Sequence, residues 1–160
     1  MEFGTPNMLG VASLWAGQEW LDQQGIQNIY AHELALATQL VEGLRQIRDV
    51  RLYCCDSMSN HLSTVTFNID GMDAGDVGMM LDVDYSIATR TGLHCAPLVH
   101  TQLGTVGIHG GVRVSIGAFN TAEQVDAAVG AVAAIARWNR ERTNKGSSLP
   151  QVGRRLLIGL

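Results

Sequence analysis

The sequence has little proline, little charge, few cysteines and no long apolar run. Each shortage excludes something. Three prolines stand against 18 glycines, and many of the glycines fall in "GMDAGDVG" and "GTVGIHGG", so they mark turns rather than a disordered tract. The three cysteines, Cys54, Cys55 and Cys95, are odd in number and two are adjacent, which excludes a disulfide framework and fits a reducing, cytoplasmic setting. No apolar stretch approaches the roughly 20 residues of a membrane helix, so no membrane partner is expected. The opening "MEFGTPN" has neither a basic nor an apolar region and does not read as a signal peptide. Net charge is -4 and the pI is about 5.6, without the basic surplus of a nucleic-acid binder. Around Cys54, Cys55 and His61 there is no CxxC or HxxxH spacing, and no metal site is expected.

What remains is an ordinary globular composition, 46% hydrophobic and 16% charged, in 160 residues. That length corresponds to about one domain and suffices for a hydrophobic core. After a loop over 1–7, the pattern predicts a helix over 8–24, stopped by Gly25, and a second over about 29–47. The second carries Leu34, Ala37, Val41, Leu44 and Ile47 at helical spacing, and the two could be parts of one bent helix. Strands are predicted at 50–53, 63–69, 86–90 and 111–117. Val65, Phe67 and Ile69 alternate with Thr64, Thr66 and Asn68, and Val112, Val114 and Ile116 alternate with Arg113 and Ser115. Asp73 can cap a helix to about 82, burying Val77 and Leu81. "TAEQ" at 121–124 reads as a capping box opening a helix to about 138, with Val125, Val129, Val132 and Ile135 as its buried stripe. This order predicts an α+β layer, a small sheet with helices on one face.

Chemistry concentrates in two places. The segment 96–110 reads as a structureless loop of about 15 residues, a length uncommon in compact domains and often functional. Cys95 stands at its start, near Arg90, His94 and His100 in sequence. It reads as a reachable thiol whose thiolate a cation would favour, or as a small buried hydrophobe. Arg113 interrupts a β-branched run on a strand, and its planar fork there suits a carboxylate or phosphate, or a structural ion pair. Asp82 and Asp84 read as a solvated helix end, and His32 as a histidine satisfied by packing.

The stretches "EFGTPN" (2–7), "RTGLHCAP" (90–97) and "GGVRVSIGAFNT" (110–121), in that order, carry a resemblance to the C-terminal part of cysteine desulfurases. These are class V aminotransferase-like enzymes that use pyridoxal phosphate, and the match is closest to the selenocysteine-lyase-like branch. The helical "HE" at 32–33 adds to it, and the resemblance spans roughly residues 2–140. It implies the small C-terminal domain of fold-type I pyridoxal enzymes: a short, mostly antiparallel sheet covered by helices and preceded by a long linking helix. It implies that residues 1–28 link to a larger domain, that 29–142 form the small domain, and that 143–160 are a tail without counterpart. By the same resemblance Cys95 attacks the substrate sulfur and carries it as a persulfide. Arg113 binds the substrate α-carboxylate and Arg90 lines the same pocket. Gly4 and Thr5 reach the cofactor phosphate of the other subunit of a homodimer, and His94 lies beside the nucleophile without a proton-transfer role.

The implied substrate is L-cysteine, converted to L-alanine, with a protein as sulfur acceptor. The large domain that anchors pyridoxal phosphate has no counterpart here. The one lysine, Lys145, lies in the tail region, so no residue matches the Schiff-base lysine, and the chain reads as a portion of a longer enzyme. Other readings are a non-catalytic sulfur-relay module, a selenocysteine lyase or aminotransferase relative, and a thiol hydrolase with His94, His100 or His109 bonded to Cys95.

Overall fold

The computed structural model describes residues 4, 6–54 and 57–146. Four strands, β1 (Val50–Leu52), β2 (Thr64–Ile69), β3 (Arg90–Gly92) and β4 (Gly111–Ser115), form one antiparallel sheet in the order β1-β2-β4-β3. The helices are α1 (Met8–Gln24), α2 (Ile26–Arg45), α3 (Ala74–Tyr85), α4 (Pro97–Leu103) and α5 (Ala122–Gly146). The expected α+β layer is present, with a sheet polar on one face and apolar on the other.

The alternation in β2 and β4 produces this division. Val65, Phe67 and Ile69 of β2 and Val112 of β4 point to one face and are fully buried. Against them pack Leu36, Ala37, Leu40, Val41 and Leu44 of α2, Val77 and Leu81 of α3, and Val132 and Ile135 of α5. Burying a side chain the size of Phe67 contributes about 1.5–3 kcal/mol, so this shared cluster holds the sheet and three helices together. Val129 and Val114 are only partly buried. Val114 borders a cavity of about 450 Å³ with Tyr85, Ile87, Ile116 and Val125.

Local chemistry sets the helix ends. Asp73 Oδ1 accepts from Gly75 N at 2.8 Å and starts α3. The 121–124 capping box forms reciprocally, with Thr121 N donating to Gln124 Oε1 at 3.2 Å and Gln124 N donating to Thr121 Oγ1 at 3.4 Å. Gly25 separates α1 from α2 and returns its N–H to Leu21 O at 2.9 Å. The "HE" pair fastens α2: His32 Nε2 donates to Asn120 O at 3.0 Å, and Glu33 accepts from Ser63 Oγ at 2.9 Å. Both roles are structural.

Several expectations are corrected. The third strand is Arg90–Gly92 rather than 86–90, because α3 continues to Tyr85 and Ser86 ends it in the left-handed conformation. The fourth strand stops at Ser115, and α5 continues through Gly146, past the expected end near 138 and into the expected tail. The 96–110 segment is not structureless. It holds α4, opened by Pro97 in the first turn, and a 3-10 turn at Val106–Ile108. Its helical period escapes the sequence because α4 buries His100 while Leu98 and Val99 face outward. The rest of the expected tail, 147–160, lies outside the described residues, as does Cys55.

The α2–α5 contact yields a test. A Cβ added at Gly43 would lie 2.7 Å from Val129 Cγ2 and 2.9 Å from its Cγ1. Valine is stiff at χ1 in a helix, so the methyls cannot swing away. Overpacking of about 1–3 kcal/mol outweighs the helix-propensity gain of about 1 kcal/mol from Gly to Ala. Chemical denaturation of Gly43→Ala is expected to show net destabilisation, recovered in part by adding Val129→Ala. A stabilised single variant contradicts the close contact.

Candidate functional site

The polar face of the sheet carries the candidate chemistry. Antiparallel register places Arg90 of β3 directly opposite Arg113 of β4, with Thr66 of β2 opposite Arg113 on its other side. Directly opposed residues have Cβ atoms about 4.5–5.5 Å apart, and like charges there repel. No carboxylate among the described residues pairs with either guanidinium. Arg113 is half-buried, and its Nε is buried without a hydrogen-bond partner. A half-buried cation facing a second cation, with an unused donor, is an arrangement an anion would complete.

Beyond β3 the chain makes a tight turn over Leu93–Ala96, closed by Ala96 N donating to Leu93 O at 2.8 Å. Both central residues, His94 (φ 51°) and Cys95 (φ 59°), are left-handed. That conformation costs roughly 1–2 kcal/mol for each non-glycine residue. Two contacts offset it: the closing hydrogen bond, and His94 Nε2, which donates to Gly111 O at 3.0 Å. Cys95 is thereby held at the exposed tip of the turn as a free thiol.

The bond to Gly111 O requires a proton on Nε2 of His94, so Nδ1 of the neutral ring is an acceptor; it is buried and unpartnered. Burial first, then the charges of Arg113, His100 and Arg90, push the His94 pKa below its ordinary value against the opposing effect of Gly111 O. The His94 and His100 rings lie 5.7 Å apart. His100 is buried and bonds Thr105 Oγ1 through Nδ1 at 2.7 Å.

The structure thus brings together Arg90, Arg113 and His94, with Cys95 next to His94 on the turn. It does not bring Gly4 to them: Gly4 precedes α1, and a Cβ there would meet nothing within 4 Å. Thr5 lies outside the described residues. The thiol-hydrolase reading gains no support: among the described residues the hydrogen bonds of the three imidazoles run from His94 Nε2 to Gly111, from His100 Nδ1 to Thr105 and from His109 Nδ1 to Asp73, and none to Cys95. No group of metal-ligand type forms among the described residues, and Asp82 and Asp84 are exposed on α3.

Sequence reading missed Asn68. It is buried on the polar face, where Nδ2 donates to Gly110 O at 2.9 Å and to Tyr53 Oη at 3.3 Å, pinning the return to β4. Its place in the β2 alternation was the available signal; its partners are distant in sequence.

The family model described as "Aminotransferase class-V" matches residues 1–128. The "Probable cysteine desulfurase 2" of Mycobacterium leprae is 38% identical over 141 residues, covering 88% of this chain and 33% of that protein. Among solved structures, the apo cysteine desulfurase of Thermococcus onnurineus superposes with a TM-score of 0.77 at 34% identity, covering 85% of this chain and 33% of that one. The cysteine desulfurase CsdA of Escherichia coli gives 0.67 at 34% identity, covering 82% and 31%. The chain therefore spans about a third of the length of the proteins it matches.

The His94 environment is testable by NMR. Long-range ¹H–¹⁵N spectra are expected to show the Nε2–H tautomer and a titration below about pH 6.5, the ordinary value. With the folded pKa lowered, the unfolded chain takes up this proton first. The contribution of His94 to stability is then intact above about pH 6.5 and lost as pH falls below it. A ring titrating at or above the ordinary value contradicts the assignment.

Proposed function

The chain belongs to the aminotransferase class-V family, and from that premise we propose that it is the C-terminal portion of a cysteine desulfurase that removes sulfur from L-cysteine through Cys95. One observation carries the reading: Arg90 and Arg113 are opposed in register on the polar face, without a carboxylate partner among the described residues. Arg113 binds the substrate α-carboxylate with its planar fork, and Arg90 adds the second positive charge. The backbone of β4 fixes the direction of that fork, so the bound amino acid has one orientation.

Pyridoxal phosphate, when bound, supplies the electron sink that labilises the bond between substrate Cβ and sulfur. The residues present fit the substrate side of that group: an orphaned guanidinium nitrogen, a paired cation and a reachable thiol. They do not supply its anchor, since Lys145, the one lysine, stands in the last turn of α5 rather than on the sheet with Arg113. The anchoring residues belong to the two thirds of the parent protein outside this chain, on which the exposed apolar residues of α1, including Leu9 and Trp15, would pack. In a homodimer, Gly4 and Thr5 would reach the cofactor phosphate of the other subunit.

The thiolate of Cys95 attacks the substrate sulfur. An S–S bond forms as the Cβ–S bond breaks, and the carbon fragment takes up a proton and leaves as alanine. His94 Nδ1 makes no hydrogen bond, to this thiol or to any other group, which supports a positional rather than a proton-transfer role. Exposure at the tip of a turn suits the next step, transfer of the persulfide sulfur to an acceptor protein. The same exposure favours a second reading, in which this chain alone relays sulfur received from another desulfurase. A cytoplasmic setting is supported by the free thiols of Cys54 and Cys95.

The test supplies the chain with the lysine-bearing portion of a matched desulfurase and follows alanine formation from cysteine. Arg113→Lys keeps the charge and loses the fork. A charge-assisted hydrogen bond of about 1.5–3 kcal/mol corresponds to a rise in KM of roughly 10- to 100-fold, with a smaller effect on kcat. An unchanged KM removes Arg113 from the carboxylate site.

A further inference from the structure

Residues 93–109 leave the sheet after Gly92 and return at Gly110. The two glycines form a neck, since a Cβ on Gly110 would fall 2.1 Å from Gly92 O. Gly92 (φ 110°) and Gly110 (φ 100°) both adopt conformations that favour glycine. The excursion beyond the neck is tied largely to itself: Thr105 N donates to His100 O at 3.0 Å and Gly110 N to Thr105 O at 2.9 Å. Leu98, Val99, Leu103 and Val106 are exposed, so no buried apolar stripe fastens this lobe to the core. Two of its outward ties sit at the neck, from His94 to Gly111 O and from Asn68 to Gly110 O. A third reaches a different element: His109 Nδ1 bonds Asp73 Oδ2 across 36 residues of sequence. Asp73 serves two partners, because its Oδ1 caps α3 through Gly75 N.

We propose that Asp73 and His109 are positioning residues: a charge latch that fastens the Cys95-bearing lobe to the N-terminus of α3 and loosens it when His109 loses its proton, because a neutral Nδ1–H keeps at most an uncharged hydrogen bond. The latch acts on the position of Cys95 whether or not that thiol carries sulfur. The dipole of α3 favours the Asp73 anion. Asp76 and Arg142 are the other charged groups bordering Asp73, and Arg142 is turned to Asn139 Oδ1 and the Trp138 ring.

Electrostatics support the geometry. The hydrogen bond and charge of Asp73 raise the His109 pKa above its ordinary value, and the same hydrogen bond lowers that of Asp73. With the folded pKa of His109 raised, the charge contribution of the tie is complete below about pH 6.5 and is lost as pH rises through the raised value. Both groups are exposed, so the bias is modest. The lobe has few other ties, and a modest bias suffices to shift its open population.

Hydrogen exchange of the 93–110 amides in the 160-residue chain tests this. Asp73→Asn removes the charge and keeps a good N-cap; His109→Gln removes the cation. Each is expected to exchange about two- to five-fold faster than wild type near pH 6, the range for an exposed ion pair. The ratio to wild type should fall toward one as pH is raised through the His109 titration, where the charge of the pair is lost. The rate of Cys95 alkylation, read by peptide mass, should follow the same ratio. His94 titrates identically in all three proteins and cancels. A ratio that does not change with pH makes the pair merely structural, and a ratio of one near pH 6 removes the latch; either overturns the proposal.

Discussion

The three-residue pairing of β3 with β4 is the constraint on which the candidate site depends. It sets Arg90 against Arg113 and brings Gly92 to Gly111, so one register fixes both the cation pair and the point where the Cys95 lobe departs. A strand this short is not stable alone. It is held from the apolar side by α3, whose Gly78 approaches so closely that a Cβ there would lie 2.3 Å from Thr91 Cγ2. The site on the polar face therefore rests on packing on the opposite face. A slip of β3 by one residue would turn Arg90 toward the core and Thr91 toward the polar face, while β4 stays registered on β2.

Three histidines around the lobe occupy different electrostatic positions. His94 lies among two arginines and a second imidazole and is kept neutral. His100 is buried and closed on Thr105. His109 is at the rim with a carboxylate, whose hydrogen bond and charge raise its pKa above the ordinary value. The two rings thus respond to pH in opposite senses: a proton added to His94 as pH falls is opposed by its burial and by the neighbouring cations, and a proton lost from His109 as pH rises removes the charge facing Asp73. Cys95 is carried between them on a turn whose backbone is itself in a costly conformation, and the lobe is held by these polar contacts together with the buried His100 and Thr105.

Where a periodicity was driven by apolar burial, it was legible in the sequence. The strand alternation around Phe67 and Val112, the α2 stripe, the Asp73 cap and the 121–124 capping box all appear where local chemistry places them. The loop expected at 96–110 became a helix because the residue α4 buries is His100, which hydropathy does not mark as inward. The extension of α3 to Tyr85 and the shift of β3 have one cause, the left-handed Ser86, which no propensity rule requires. In the candidate site, Arg113 was visible as a charge interrupting a β-branched run and Cys95 as a thiol at the start of a predicted loop, each with a structural alternative left open, while the roles of Cys95, Arg90 and Arg113 came from the resemblance. The ties from Asn68 to Gly110 and from Asp73 to His109 join residues 42 and 36 positions apart. Only the folded register brings them together.

Cys95, on the exposed turn that follows β3 and its Arg90–Arg113 pair, is proposed as the sulfur-accepting thiol. The most direct test of that role is the mass of the Cys95 peptide after a single turnover of L-cysteine, with the chain combined with the cofactor-bearing portion of a matched desulfurase. The account expects one additional sulfur atom on Cys95, removed by a thiol reductant and absent when Arg113 is replaced by alanine. Additional sulfur confined to Cys54 or Cys55, or a Cys95 that stays unmodified while alanine accumulates, would contradict it.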